Sequence, residues 1–246
     1  MKTLVAYITA GFPDIAFTKD LALGLADAGA DKIELGIPFS DPVADGPVIE
    51  VANLKALQAG FKLEQLFDIA SHIAPQIDTY WMGYFNSFYH RGFESFAKKA
   101  QELGVKGFIV PDMPFEESIQ YAKILDQTAL SLVSFVAPTD DEARIKRILK
   151  NAKDFVYLVA YAGITGSGVS EDLQDILTQI RLQTKTPVFV GFGVDEKTAK
   201  QKAQGADGVI VGSAFVKVLL DESLNGTQKI EKITSLARTI KESINS

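Results

Sequence analysis

The sequence contains no cysteine, and only two of its 246 residues are histidine. Without cysteine the chain can form no disulfide, no thiolate metal site and no thiol nucleophile. His72 falls in a helical pattern and His90 in a loop before a predicted helix, and neither has acidic neighbours at the spacing of metal ligands. We therefore interpret both as structural or surface residues, and a metal site that uses both is the less favoured alternative.

Long hydrophobic runs and basic clusters are also missing. No run approaches the roughly 20 apolar residues that a membrane-spanning helix needs. The apolar N-terminal stretch is interrupted by Thr9 and meets Pro13 and Asp14, which favours a buried first strand over a signal peptide. The formal net charge is -6, and no basic stripe interleaves with aromatic residues, so nucleic acid is not an expected partner. We expect a cytoplasmic protein with a small-molecule substrate.

What the chain does contain is a regular alternation of short apolar runs and longer helical patterns, with no linker between them. Strands that are apolar throughout are typical of parallel strands buried on both faces. The pattern predicts a single (β/α)8 TIM barrel, in one domain over residues 1–246, with an open doubly wound sheet as the alternative. The predicted strands are residues 4–10, 32–35, 78–83, 107–110, 130–136, 155–160, 187–191 and 208–211.

Residues 34–47 place Glu34, Asp41 and Asp45 between three prolines and two glycines, directly at the end of the second predicted strand. Proline restricts its own φ and the residue before it, so this loop is stiff. In such barrels the active site lies at the carboxyl ends of the strands. Two carboxylates in a partly apolar pocket suit proton transfer and charge stabilisation. The alternative is structural, with Asp45 as a helix N-cap and Pro47 near the first helical position.

Glycine clusters follow the last three predicted strands, at residues 163–168, 191–193 and 212–213. Glycine lets backbone N–H groups approach a ligand closely, and barrels often bind phosphate at this position. We therefore predict a phosphate site, although tight turns alone would also require glycine. Residues 163–170 have the spacing of a nucleotide P-loop, but Val169 stands where that motif requires lysine, which argues against ATP.

Several motifs resemble those of the tryptophan synthase alpha subunit family, and the likeness extends over essentially the whole chain. The most specific are residues 34–47, 84–86, 111–117, 163–166, 191–193 and 212–217. The resemblance implies a TIM barrel that cleaves indole-3-glycerol phosphate to indole and glyceraldehyde 3-phosphate by a retro-aldol reaction without a metal. It also implies that this chain carries no cofactor.

The resemblance further implies a role for each matching residue. Glu34 would be the general acid/base, Asp45 would hold the indole N–H, and Tyr157 would assist near the glycerol chain. Thr165 would close over the substrate on a lid loop and bond to Asp45. The indole slot would be lined by Tyr7, Ile49, Met82, Tyr84 and Phe192. The phosphate would be bound by Gly166, Gly193, Gly212 and Ser213.

A partner is implied in the same way. In this family indole passes to a beta subunit that carries pyridoxal phosphate, in an alpha2-beta2 assembly. The resemblance places Pro38, Asp41 and Pro42 at that interface. Two features depart from the family pattern: the chain begins almost directly with its first strand, where the family usually has a helix that covers the barrel floor, and Tyr161-Ala162 differs from the usual residues before the lid glycine.

Two other functions remain as alternatives on the residues alone. Another phosphate-binding barrel, such as a sugar-phosphate isomerase or epimerase, would share the glycine clusters, but a metal-dependent epimerase needs His and Asp ligands at strand ends, and these are missing. A barrel that has lost catalysis and serves as a binding subunit would have no need of Glu34 and Asp45.

Overall fold

The computed structural model describes residues 1–159 and 173–246. Within these residues nine parallel strands form one continuous sheet. The sheet order is β5-β4-β3-β2-β1-β9-β8-β7-β6, so every strand except β5 and β6, which are at the two ends, pairs with a strand on each side. The strands are β1 (Thr3–Thr9), β2 (Lys32–Gly36), β3 (Asp78–Met82), β4 (Gly107–Ile109), β5 (Ser131–Leu132), β6 (Ser134–Val136), β7 (Val156–Val159), β8 (Val188–Gly191) and β9 (Gly208–Val211).

The predicted strand at residues 130–136 is in fact two short strands, and this corrects the sequence prediction. β5 pairs with β4 and β6 pairs with β7, with only Val133 between them. The Val133 N–H donates to the Phe108 carbonyl, after which the chain changes partner to β7. The two pieces therefore fill one place in the barrel wall and join the two ends of the sheet. The (β/α)8 TIM barrel is confirmed, and the open-sheet alternative is wrong.

Helices follow the strands around the outside of the barrel. Asp14 caps the first helix by accepting from the Phe17 N–H, as aspartate commonly does at this position. Asp141 caps the helix that starts at Glu142 in the same way, by accepting from the Arg144 N–H. The helices are α1 (Ile15–Asp27), α2 (Pro47–Gln58), α3 (Leu63–Ile73), α4 (Phe85–Tyr89), α5 (Phe93–Leu103), α6 (Phe115–Leu125), α7 (Glu142–Leu149), α8 (Leu173–Gln183), α9 (Ala199–Lys202), α10 (Ser213–Leu219) and α11 (Gly226–Asn245).

Alternation along each strand decides which side chains enter the barrel and which meet the helices. Trp81 points outward from β3 and packs against Phe67 of α3 and Phe96 of α5, with ring centroids 5.6 and 5.5 Å apart. Its neighbour Tyr80 points inward and meets the Phe155 ring edge-on at 5.3 Å. The same alternation on β2 places Glu34 on the inner side, because the strand register aligns it with Tyr80.

Ionic groups occupy the amino-terminal end of the strands, which is the floor of the barrel. The Lys32 ammonium donates to Asp78 and to the Tyr80 hydroxyl, both at 3.2 Å. Asp154 accepts from the Tyr80 hydroxyl and lies 3.9 Å from the Lys32 ammonium. The interior is thus polar at the floor, aromatic in the middle, and open at the carboxyl ends of the strands. In the part of the chain that is described, no helix is both long and apolar enough to cross a membrane.

Candidate functional site

Glu34 is the buried acid of the candidate site. Its side chain is only 3% exposed, and the strand register places it between Tyr7 of β1 and Tyr80 of β3. No described residue donates a hydrogen bond to its buried Oε2 atom. Burial, with a smaller contribution from the charge of Asp45, raises the pKa of Glu34 to about 8. The carboxyl group is therefore mostly protonated at neutral pH and can donate a proton to a bound molecule.

Asp45 is the second acid, and it does not cap the helix that follows it. The N-cap of α2 is Gly46, with Pro47 at the first helical position. The Asp45 carboxylate instead accepts from the Asn53 side-chain amide at 3.2 Å. Burial raises the pKa of Asp45 to about 6, while hydrogen bonds from Tyr84 and Asn53 oppose the rise. Asp45 is therefore mostly ionised at pH 7, where Glu34 is mostly protonated.

The loop that carries Asp45 is fixed by bonds within its own backbone and to Tyr84, which follows β3. The Asp45 N–H donates to the Pro42 carbonyl at 2.9 Å, and the Ala44 N–H donates to the Tyr84 hydroxyl at 3.0 Å. The Tyr84 ring also stacks on Phe39, with centroids 5.1 Å apart. The structure therefore places Tyr84 as a support under this loop, outside the cavity that Glu34 and Asp45 share.

Two tyrosines cross the barrel interior beside Glu34. A Cβ atom on Gly36 would lie 2.4 Å from the Tyr7 hydroxyl, and one on Gly191 would lie 2.3 Å from the Tyr157 ring. Glycine at these two positions is what lets the rings lie against the neighbouring strands. The pKa of each phenol is raised well above its usual value, mainly by burial, and then by Asp45 for Tyr7 and by Glu34 for Tyr157. Both phenols stay protonated and can serve as hydrogen-bond donors.

The two acids open into one cavity of about 240 Å³ at the carboxyl ends of the strands. Its described wall is mainly apolar around a few polar groups, as is usual for sites that bind an aromatic molecule. Thr165 and Gly166 lie outside the described residues, so their predicted roles stay predictions. The predicted site residues in the wall are Tyr7, Glu34, Asp45, Ile49, Met82, Tyr157, Phe192, Gly193, Gly212 and Ser213.

The far end of the cavity is formed by backbone. Phe192 and Gly193 both have left-handed backbone conformations, with φ of 68° and 63°. Gly212 precedes α10, and a Cβ atom there would lie 3.3 Å from Tyr7 and 3.4 Å from Ile49. The Ser213 N–H begins α10 and, like the first N–H groups of any helix, has no partner within the helix. Gly193, Gly212 and Ser213 therefore lie together in the cavity wall where the sequence predicts phosphate.

Two residues with contacts in the site were missed by sequence reasoning. Asn53 is 1% exposed and holds the Asp45 carboxylate from the second turn of α2. Lys202, at the end of α9, lines the cavity beside Gly193. An amide on the buried face of a helix was a usable signal for Asn53. No sequence signal marks Lys202, because only the fold of residues 192–202 brings it to the cavity.

Of the three residues predicted at the partner interface, only one has an exposed side chain. Asp41 is exposed, whereas Pro38 and Pro42 are buried within the chain. Val43 is 83% exposed, and Leu54 of α2 is 53% exposed. The two prolines therefore shape the loop, and the side chains available to a partner there are the neighbouring acidic and apolar ones.

The histidines lie away from the cavity. His72 is exposed in the last turn of α3, and His90 is exposed at the end of α4. Among residues 1–159 and 173–246, no cluster of three or more His, Cys, Asp or Glu side chains could hold a metal ion.

Comparisons with known proteins all identify the same family, and the matches cover nearly the whole of this chain. The family model described as "Tryptophan synthase alpha chain" matches residues 1–245. The tryptophan synthase alpha chain of Wolinella succinogenes is 57% identical over 247 residues, which cover 100% of this chain and 97% of that protein. The solved tryptophan synthase subunit alpha from Campylobacter jejuni is 35% identical with a TM-score of 0.86, covering 96% of this chain and 95% of that chain. A ligand-free tryptophan synthase structure from M. tuberculosis is 28% identical with a TM-score of 0.88, covering 100% and 94% of the two chains.

The raised pKa of Glu34 predicts a specific pH dependence of stability. The folded state keeps the proton up to about pH 8, whereas an ordinary glutamate loses it near 4.5. This contribution to stability is therefore fully present below the unfolded pKa and is lost as pH rises through the folded pKa. Glu34→Gln removes the ionisable group, so its free energy of unfolding relative to wild type should increase by about 1–3 kcal/mol between pH 5 and pH 8.

Urea denaturation at a series of pH values measures this difference. Glu231→Gln, on the exposed side of α11, is the matched control and should follow the wild-type curve. Parallel curves for Glu34→Gln and wild type would show that the pKa of Glu34 is not raised.

Proposed function

The chain belongs to the tryptophan synthase alpha chain family, and from that premise we propose that Glu34 and Asp45 together perform its reaction. Family membership makes the chain an indole-3-glycerol phosphate lyase of tryptophan biosynthesis. The reaction yields indole and glyceraldehyde 3-phosphate. The observation that carries the proposal is that one cavity holds a protonated buried acid and an ionised acid side by side.

Glu34 is the proton donor and acceptor. The indole ring must first gain a proton at C3, and a carboxylic acid with a pKa of about 8 is still protonated at pH 7 to supply it. The Glu34 carboxylate that results then accepts the proton of the glycerol hydroxyl next to the ring. Loss of that proton forms the aldehyde carbonyl, the carbon–carbon bond breaks, and its electron pair returns to the ring. The proton balance closes on Glu34, and no other reactant is consumed.

Asp45 stabilises the ring while it carries positive charge. Protonation at C3 leaves a cation centred on the ring nitrogen, and an ionised carboxylate that accepts the indole N–H lowers the energy of this state. Asn53 holds the Asp45 carboxylate at 3.2 Å, which fixes its direction before substrate binds. Preorganisation of this kind costs no reorganisation at the moment of reaction.

The remaining wall residues position the substrate. Tyr7, Ile49, Met82 and Phe192 form apolar surface for the indole ring, and Tyr157 faces the same space as Glu34. The buried Tyr157 phenol keeps its proton and can donate to the glycerol chain. Backbone N–H groups of Gly193, Gly212 and Ser213 bind the phosphate at the far end. No observation favours an isomerase, an epimerase or a non-catalytic barrel over this function.

We further propose that a beta subunit binds over the loop after β2, in an alpha2-beta2 assembly in which the partner alone carries pyridoxal phosphate. Asp41 is exposed there, beside the 83% exposed Val43, and Val51 and Leu54 continue the apolar surface along α2. Exposed apolar residues around a charge are a feature of protein interfaces.

This position gives the partner a route to the catalytic acids. Asp41 and Asp45 lie on one loop whose backbone is held by Pro42 and Tyr84. A partner that fixes the loop therefore also fixes the Asp45 carboxylate, and the coupling between binding and activity follows from that constraint.

Glu34→Gln should lower the rate of indole formation by about 10²–10⁴, because it removes proton transfer but keeps the size of the side chain. A spectrophotometric assay of indole release from indole-3-glycerol phosphate measures the rate, and calorimetric binding of the same substrate should be nearly unchanged. Glu231→Gln on α11 is the control and should keep wild-type turnover. Turnover of Glu34→Gln near the wild-type rate would remove Glu34 from the mechanism.

Asp41→Ala should reduce activation by a matched beta subunit while the isolated chain keeps its activity. We expect activation of roughly 10-fold or more for wild type, within the usual coupling of about 1–3 kcal/mol. Asp20→Ala, an exposed aspartate on α1, is the control and should be activated like wild type. Equal activity of wild type with and without the beta subunit would contradict the coupling, and equal activation of both variants would place the partner elsewhere.

A further inference from the structure

The charge balance of the cavity presents a problem for a phosphorylated substrate. Two of its described wall residues, Glu34 and Asp45, are acids, and Asp45 is mostly ionised at neutral pH. A phosphate monoester adds a charge of about -1.5 to -2. Among the described wall residues, Lys202 is the single lysine or arginine that could compensate for it.

Lys202 is held against the backbone of the loop after β8. Its ammonium donates to the Phe192 and Gly193 carbonyls, both at 2.8 Å. Helix α9 itself is fixed against the barrel, because Ala199 at its start and Ala203 just after its end are buried. The Thr198 hydroxyl also donates to the Gly193 carbonyl, at 3.1 Å. The ammonium and Thr198 thus fix the direction of two successive peptide groups.

The fixed peptides leave two N–H donors without an acceptor in the described part of the chain. In a planar trans peptide the N–H points away from the C=O. The N–H groups of Gly193 and Val194 therefore point away from the Lys202 ammonium, and neither finds an acceptor among the described residues. Both residues line the cavity. Unpaired backbone donors beside a cation are the arrangement that an anion needs.

Within residues 1–159 and 173–246, the charge of Lys202 has no counter-ion of its own. No carboxylate among the described residues lies within ion-pair distance of its ammonium, although the ammonium has a third donor. Burial lowers the pKa of Lys202, and the charge of Asp195 opposes this only in part. The Asp195 carboxylate is already bonded to the N–H groups of Lys197 and Thr198 and to the Thr198 hydroxyl.

We propose that Lys202 is a cationic positioning residue for the substrate phosphate: it aligns the N–H groups of Gly193 and Val194 on the phosphate and supplies the positive charge of that subsite. The inference rests on the proposed function for the same cavity, and it adds the charge that glycine N–H groups alone do not provide. The substrate class that it selects is a phosphate monoester rather than the unphosphorylated indole glycerol.

The test compares ligands with and without phosphate. Calorimetry measures the affinities of glycerol 3-phosphate and of indole for wild type, Lys202→Met, Lys202→Gln and Lys202→Arg. Lys202→Met should weaken glycerol 3-phosphate binding about 10-fold or more and leave indole binding within about two-fold, because only the phosphate interacts with the charge. Lys202→Arg should recover most of the loss, and the uncharged Lys202→Gln should not. Lys200→Met, on the exposed side of α9, should bind both ligands like wild type.

Steady-state kinetics separates binding from chemistry. With indole-3-glycerol phosphate, Lys202→Met should raise KM about 10-fold or more and change kcat by less than about three-fold. Unchanged glycerol 3-phosphate affinity in Lys202→Met would overturn the inference. An equal loss of affinity for both ligands without rescue by arginine would also overturn it, since that result means a packing role only. If wild type bound glycerol 3-phosphate but released no indole, the proposed function would fail while the phosphate result would still stand.

Discussion

The burial of the Glu34 carboxyl group is the constraint on which the rest of the site depends. An ionised carboxylate in this position would lack water and any described donor to its Oε2 atom. The barrel therefore keeps the group protonated, with a pKa of about 8. The large apolar core that the strands and helices form around Glu34 offsets the free-energy cost of burying this carboxyl group. The same environment that disfavours the charge creates an acid able to protonate a ring carbon at neutral pH.

Asp45 gains its opposite character from a different kind of support. It stands on a loop rather than inside a strand, and the loop is fixed by Pro42 and by the Tyr84 hydroxyl. The Asn53 amide stabilises the ionised form. Two carboxyl groups in one cavity thus hold different protonation states, since Glu34 is more deeply buried and Asp45 accepts stabilising hydrogen bonds. In the proposed complex, a partner bound over this loop would act on Asp45 rather than on Glu34.

Much of this arrangement could be predicted from the sequence, and the exceptions have a common cause. The regular alternation of short apolar runs with helical patterns predicted the barrel, and the stiff acidic loop indicated Glu34 and Asp45 as the catalytic acids. The break within residues 130–136 was not visible, because it arises when the chain changes its strand partner. The support by Tyr84 and Asn53, and the approach of Lys202 to the cavity, depend on contacts between elements. Local sequence patterns report propensity and alternation, but not which distant groups the fold brings together.

A titration of Glu34 itself tests most directly whether burial makes it the proton donor. Carbon-13 NMR of protein labelled at the glutamate carboxyl carbons, with the Glu34 signal assigned by its loss in Glu34→Gln, gives the midpoint in the unliganded chain. We expect a midpoint near pH 8, which Asp45→Asn should lower because a neighbouring negative charge is removed. A midpoint near the ordinary value of 4.5, unaffected by Asp45→Asn, would contradict the claim that burial makes Glu34 the proton donor.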